Sequence, residues 1–215
     1  MSQQPPEFTS DFRQQFDQLL RWRRDVRAFR TTPLDPNVVQ SILTQTAQNT
    51  PSVGNAQPWR FVRVKTPQRR HEIRMHVEAE VQRSAQIYVS NTAQHYESLK
   101  LHGLDAAPEH VAVFSVNDPE EGKGLGRQTM PETLLWSTVM AIHTLWLTAR
   151  ANNIGLGWVS ILEPEQINSV LDCPLDWRFV AYLCMGYPQE TTQTPDLVKR
   201  DWQAPLPIEK MVIEK

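Results

Sequence analysis

Residues 130–162 constrain the fold of this chain more than any other stretch. Thr129-Met130-Pro131-Glu132 has the form of a capping box. It offers a hydroxyl for orphan amide hydrogens, proline in the first turn and a glutamate that can reach back. A helix is expected to begin there. Leu134, Leu135, Val139, Ile142, Leu145, Trp146 and Ala149 recur at helical spacing, with Met140 and Leu147 widening the stripe, which predicts a buried helix. Asn152, Asn153 and Gly155 signal its end, after about 34 Å at 1.5 Å per residue. Residues 156–162 then form a short apolar run suited to an interior strand.

The rest of the chain supplies partners for that pair. Phe12, Phe16, Leu19 and Leu20 make one apolar face on a first helix. Asp35-Pro36 reads as an N-cap and first helical residue, with Val38, Val39, Ile42, Leu43 and Ala47 following to a stop near Asn49. Strands are expected at 61–64, 110–116 and 179–186, and a short helix at 164–171. From 68 to about 101 the pattern is helical and polar, with Ile73, Val77, Val81 and Ile87 turned inward. No repeat or low-complexity tract interrupts the 215 residues, so one α+β domain is expected. Its polar ends could wrap a partner subunit, and residues 1–10 are expected to be mobile.

Charge and composition exclude several function classes. A formal net charge of -2 gives no general attraction to nucleic acid or to acidic membranes. No segment approaches 18 uninterrupted apolar residues, so a cytoplasmic protein without a membrane span is expected. The two cysteines, Cys173 and Cys184, have no histidine at ligand spacing and read as plain buried thiols. His71 and His76 are five residues apart, and so point to different sides of a helix rather than to one zinc ion. No metal site is expected.

Three stretches carry chemistry. In residues 21–30, five arginines surround Asp25. A solvated charged face and a phosphate clamp of Arg23, Arg24 and Arg27 are evenly matched readings, since planar guanidinium forks suit phosphate oxygens. Asp25 could pair with a neighbouring arginine or serve in proton transfer. Residues 51–59 place Ser52, Asn55 and Gln57 between prolines and Trp59. Such a loop suits a flat heteroaromatic ligand rich in carbonyl and imine groups. Residues 118–128 carry Gly122, Gly124 and Gly126 without the spacing of a nucleotide loop, and read as a plain loop or a flexible lid.

The ordered blocks Arg23-Arg24-Asp25-Val26-Arg27-Ala28-Phe29, Pro51-Ser52-Val53-Gly54-Asn55-Ala56-Gln57-Pro58-Trp59, Gly155-Leu156-Gly157-Trp158-Val159-Ser160 and Met185-Gly186-Tyr187-Pro188 resemble the nitroreductase-like flavoproteins. Within them the chain is most similar to the BluB-type branch, the 5,6-dimethylbenzimidazole synthases. The likeness rests on Asp25 in place of the usual serine, on residues 99–108, and on Trp158-Val159-Ser160-Ile161-Leu162. The resemblance implies a central mixed or antiparallel sheet flanked by helices in an intertwined homodimer, with FMN at the interface. It also implies oxygen-dependent fragmentation of reduced FMN to 5,6-dimethylbenzimidazole, the lower ligand of cobalamin, and erythrose 4-phosphate. NAD(P)H would enter only indirectly, through a separate flavin reductase.

By the same resemblance, Arg23, Arg24 and Arg27 hold the phosphate and pyrimidine edge of FMN beside Asp25 and Val26. Pro51, Ser52 and Asn55 reach it from the partner subunit, and Lys100 lies near the ring. The backbone at Ile161 and Leu162 faces flavin N5, while Asp25 and Ser160 take part in the fragmentation. The basic phosphate ligand that many relatives carry near the C-terminus is missing from Trp202-Gln203-Ala204-Pro205, so that either Lys199 or Arg200 substitutes or the arginines near Asp25 suffice. Two other functions remain open: an NAD(P)H-dependent nitroreductase or quinone reductase, and a non-catalytic flavin-binding protein.

Overall fold

A computed structural model describes residues 4–89, 91–99 and 101–214. Four strands, β1 (Trp59–Arg63), β2 (Glu109–Val116), β3 (Gly155–Val159) and β4 (Trp177–Gly186), form one sheet in the order β1-β2-β4-β3. Every neighbouring pair is antiparallel. The mixed character expected from sequence is confined to one parallel bridge, between Asp25 and Leu156 on β3. β2 is buried along its whole length, as a central strand covered on both faces must be.

Helices α1 (Ser10–Trp22), α2 (Pro36–Asn49), α3 (Pro67–Ala85), α4 (Asn91–Ser98), α5 (Thr133–Ala151), α6 (Pro164–Leu171) and the short α7 (Asp196–Lys199) complete the α+β fold. On one face of the sheet, Val39, Ile42 and Leu43 of α2 and Ile142, Leu145 and Ala149 of α5 pack on Val111, Val113, Leu156 and Leu183. On the other, Ile73 and Val77 of α3 and Ile167 and Leu171 of α6 enclose Phe29, Ala112, Phe114 and Tyr182. Asp35 caps α2 through its carboxylate, which accepts from Asn37 N–H at 2.8 Å.

Several boundaries differ from expectation. α5 starts at Thr133 rather than at the capping box, and so spans about 28 Å. Met130, preceding a proline, is disfavoured in the helical region. Its carbonyl instead accepts from Thr133 N–H at 3.1 Å and Thr133 Oγ1 at 2.7 Å, closing a turn. At the other end Asn153, with φ 59°, makes the left-handed turn, and Gly155 already lies in β3. β3 ends at Val159 rather than 162. The polar helix expected over 68–101 breaks after Ala85, and Ile87 is exposed rather than turned inward. α5 is not buried all round: Trp136, Val139 and Met140 form an exposed apolar stripe. α1 buries no residue, leaving Phe12, Phe16 and Leu20 exposed as well.

Candidate active site

The segment after α1 runs along the open edge of β3 and is tied to it by one isolated bridge, between Asp25 and Leu156. Arg23 closes α1, its N–H donating to Leu19 O at 2.9 Å. Val26 N–H then donates to Leu156 O at 3.1 Å, and Arg30 N–H to Tyr187 O at 2.8 Å. Gln189 N–H returns a bond to Ala28 O at 2.9 Å. Phe29, fully buried, pins this strap to the second core. The approach is close enough to exclude a side chain at one position, since a Cβ on Gly157 would stand 2.1 Å from Val26 O. Glycine is therefore required where the strap crosses β3.

That crossing fixes Asp25. Its Oδ1 accepts from Trp158 N–H at 2.9 Å, and its Oδ2 accepts from Arg27 Nε at 2.8 Å. Both oxygens act as acceptors, and neither is left without a donor. Arg23, Arg24, Asp25, Val26 and Arg27 line a cavity of about 270 Å³. Arg150, Lys199 and Arg200 line it too, giving six cationic side chains against the carboxylates of Asp25, Glu190 and Asp196. A preponderance of fixed positive charge in a walled cleft attracts an anionic ligand.

The remaining expected residues fall into two places. Ser160 is exposed just past β3, two residues beyond the amide that holds Asp25, or roughly 7 Å along an extended chain. Ile161 and Leu162 follow in a bend, and their backbone N–H groups have no acceptor among the described residues. Glu163 N–H donates to His76 Nε2 at 2.8 Å, so His76 anchors this turn.

Pro51, Ser52 and Asn55 are elsewhere. Their loop is bound to α5 through Val53 N–H and Ser137 Oγ at 3.1 Å. Ser137 stands about 13 Å along α5 from Trp146, which lines the cavity. Ser52 Oγ accepts from Gln57 N–H at 3.0 Å, and Asn55 Oδ1 from Gln57 Nε2 at 3.1 Å. Asn55 and Gln57 both hold positive φ, 55° and 46°. The glycine-rich segment 118–128 packs on this loop, where a Cβ at Gly122 would meet Gly54 O at 2.7 Å. Lys100 lies outside the described residues.

The pattern of the nitroreductase family matches residues 20–187. The chain is 48% identical over 202 residues to the 5,6-dimethylbenzimidazole synthase of Rhodobacter capsulatus, covering 94% of this chain and 97% of that protein. It is 46% identical to the enzyme of the same name from Rhodospirillum rubrum, covering 94% and 95%. The chain belongs to the nitroreductase family. Among solved structures of this fold, an iodotyrosine deiodinase bound to FMN and 3-iodo-L-tyrosine superposes with a TM-score of 0.68 at 20% identity, covering 82% of this chain and 91% of that one. A nitroreductase family protein from Clostridium difficile gives 0.65 at 16% identity, covering 91% and 95%.

On this nitroreductase-family scaffold the cavity includes two residues that no motif marked, and two that the sequence named only as stand-ins for the phosphate ligand. Trp146 and Arg150 come from one face of α5, a helical turn apart, and Lys199 and Arg200 from the last turn and cap of α7. The helical stripe placed Trp146 inside, but no pattern linked it to residues 23–27, because that meeting is made by tertiary packing. Burial holds the Arg23 guanidinium below its ordinary pKa, Arg24 acts in the same direction, and Asp25 partly opposes. Among the described residues no group of His, Cys, Asp and Glu is assembled to hold a metal ion. No helix among them is long and apolar enough to cross a membrane.

Proposed function

We propose that this chain is a 5,6-dimethylbenzimidazole synthase that binds reduced FMN in the arginine-lined cavity and, with O2, fragments it, releasing erythrose 4-phosphate. One observation carries the structural side of this reading: Asp25, fixed by Trp158 N–H and Arg27, stands at the wall of a cationic cavity. The near full-length likeness to synthases of that name supports the same assignment. An arginine cluster beside a fixed carboxylate suits a ligand that is anionic at one end and needs protons moved at the other. Reduced FMN supplies both the electrons for O2 and the carbon skeleton of the product.

The residues of the chain then have separable tasks. Arg23, with Lys199 and Arg200 in place of the absent C-terminal ligand, neutralises the phosphate. Arg27 orients Asp25, so the carboxylate accepts a proton from the ribityl side of the ligand. Ser160 offers a hydroxyl to the oxygen-bearing face, and the free N–H groups of Ile161 and Leu162 donate to the flavin edge at N5. Ser52 and Asn55 serve the site of a second copy, for which the exposed stripe on α5 and the open face of α1 are the contact surfaces. Residues 118–128 back that loop as a lid that excludes water.

Single turnover tests the reading. The protein is loaded with FMN, reduced without air and exposed to O2, and the small molecules are separated and weighed. Loss of FMN with appearance of 5,6-dimethylbenzimidazole is expected. Recovery of intact oxidised FMN with hydrogen peroxide would instead favour an NAD(P)H-dependent nitroreductase, and the reduced flavin would then come from this protein rather than from a separate reductase.

A further inference from the structure

Trp146 makes two contacts with the arginine strap. Its indole Nε1–H donates to Arg24 O at 3.2 Å, and Arg23 Cζ lies 4.8 Å from the centroid of its ring. The ring is backed in turn by Trp158, with centroids 6.5 Å apart, and the Trp158 backbone N–H is the one that holds Asp25. Trp146 therefore touches the cation directly and stands one residue removed from the carboxylate.

The three arginines of the strap that line the cavity differ in what their donors do. Arg24 gives Nε–H to Gln193 O at 2.6 Å and an NH1 hydrogen to Arg23 O at 2.8 Å. Arg27 gives Nε–H to Asp25. The Arg23 side chain has neither hydrogen bond nor ion pair to another described residue; its guanidinium is held by the aromatic face alone. That mode of support matters chemically. A carboxylate partner would occupy the in-plane N–H groups, whereas stacking uses the plane of the guanidinium and leaves its fork of donors open. A half-buried cation whose donors are open is set up to receive a phosphate two oxygens at a time.

We propose that Trp146 is a positioning residue for anion recognition. It lays the Arg23 guanidinium flat and pins the Arg24 backbone, so that the open edge of Arg23 faces a phosphate monoester in the cavity. The identity of that monoester as the phosphate of FMN rests on the function proposed above; the placement of Arg23 does not. A tryptophan serving only as packing would affect every ligand of the cavity alike, while one acting through Arg23 affects the phosphate alone.

Titration with FMN and with riboflavin, which shares the ring system and lacks the phosphate, separates the two. Trp146→Leu is expected to weaken FMN about tenfold and riboflavin less than about twofold, while Trp146→Phe, which keeps an aromatic face, stays within about threefold of wild type for both. Trp146→Met, whose unbranched side chain can adapt to the vacated slot, is expected to repeat the selective loss if the leucine variant does not fold. Combined with Arg23→Ala, Trp146→Leu should cost FMN nothing beyond the loss from Arg23→Ala alone. Equal losses for the two flavins, no loss for either, or losses that add in the double variant would each overturn the proposal while leaving the flavin site intact. Wild-type protein that binds neither flavin would remove the flavin reading and this proposal together.

Discussion

Asp25 shows how much of the site depends on a single backbone donor. Trp158 N–H and Arg27 together hold the carboxylate, and an amide oxygen can take the first bond but cannot balance the guanidinium. Asp25→Asn is therefore expected to bind FMN within about threefold of wild type, yet to lose benzimidazole formation by about a hundredfold or more in single turnover. Ser160 is exposed and bears no packing, so Ser160→Ala should keep its urea midpoint within about 0.5 kcal/mol of wild type while lowering the yield of benzimidazole. Unchanged product in both variants would remove Asp25 and Ser160 from the proposed chemistry. Gly157 behaves differently. A methyl group there would press into Val26 O, so Gly157→Ala should cost about 1–3 kcal/mol in urea unfolding and weaken FMN by displacing the strap.

Between β2 and β4 the second core encloses a polar pair. His110 Nδ1 and Tyr182 Oη are 3.0 Å apart, both side chains are buried, and His110 Nε2 has no partner among the described residues. Burial pushes the His110 pKa down to about 4, helped by the charge of Arg70, and pushes the Tyr182 hydroxyl up. The sign follows from which state holds more protons. Between about pH 6.5 and 4 the unfolded chain protonates this histidine and the folded chain does not, so acid favours unfolding. Stability from this group is full above about pH 6.5 and falls by up to about 3 kcal/mol as the pH drops towards 4. Urea midpoints across that range should show the slope. The double variant His110→Phe/Tyr182→Phe, which removes both polar partners together, should lose that component.

At the scale of the whole molecule, the two groups of candidate residues lie at opposite ends of α5. The arginine cavity is at the end of α5 near Arg150, and the loop of Ser52 and Asn55 is bound near its start at Ser137. An exposed stripe of Trp136, Val139 and Met140 lies on α5. Under the proposed function, burying this stripe against a second copy would carry each loop to the other cavity. Trp136→Glu is expected to sediment as a monomer and to bind FMN poorly. Mixing Arg23→Ala chains with Asn55→Gly chains, each inactive alone, should recover up to roughly a quarter of wild-type activity, because half of the random dimers hold one intact site of two. Glycine is chosen at Asn55 since it tolerates the positive φ of that position. No recovery after exchange would place both residues in one chain's site.

Local patterns carried much of this protein. Apolar spacing in α2, α3 and α5, the Asp35-Pro36 start and the alternating strands are set by interactions within a few residues, so the α+β class could be read directly. The arginine strap, the Ser52–Asn55 loop and the Gly155–Ser160 run could likewise be marked, because each concentrates unusual residues. The failures share one cause. Whether α5 is covered all round, why Gly157 must lack a side chain, and that Arg27 and Trp158 N–H divide Asp25 between them all depend on what crosses from far away in the chain. Trp146 and Arg150 stayed invisible as site residues for the same reason: only the packing of α5 against the strap brings them to the cavity. The sequence by itself determined the elements and the residue chemistry. Tertiary structure decided which donors are consumed and which remain open, because that follows from distances between segments no local pattern connects.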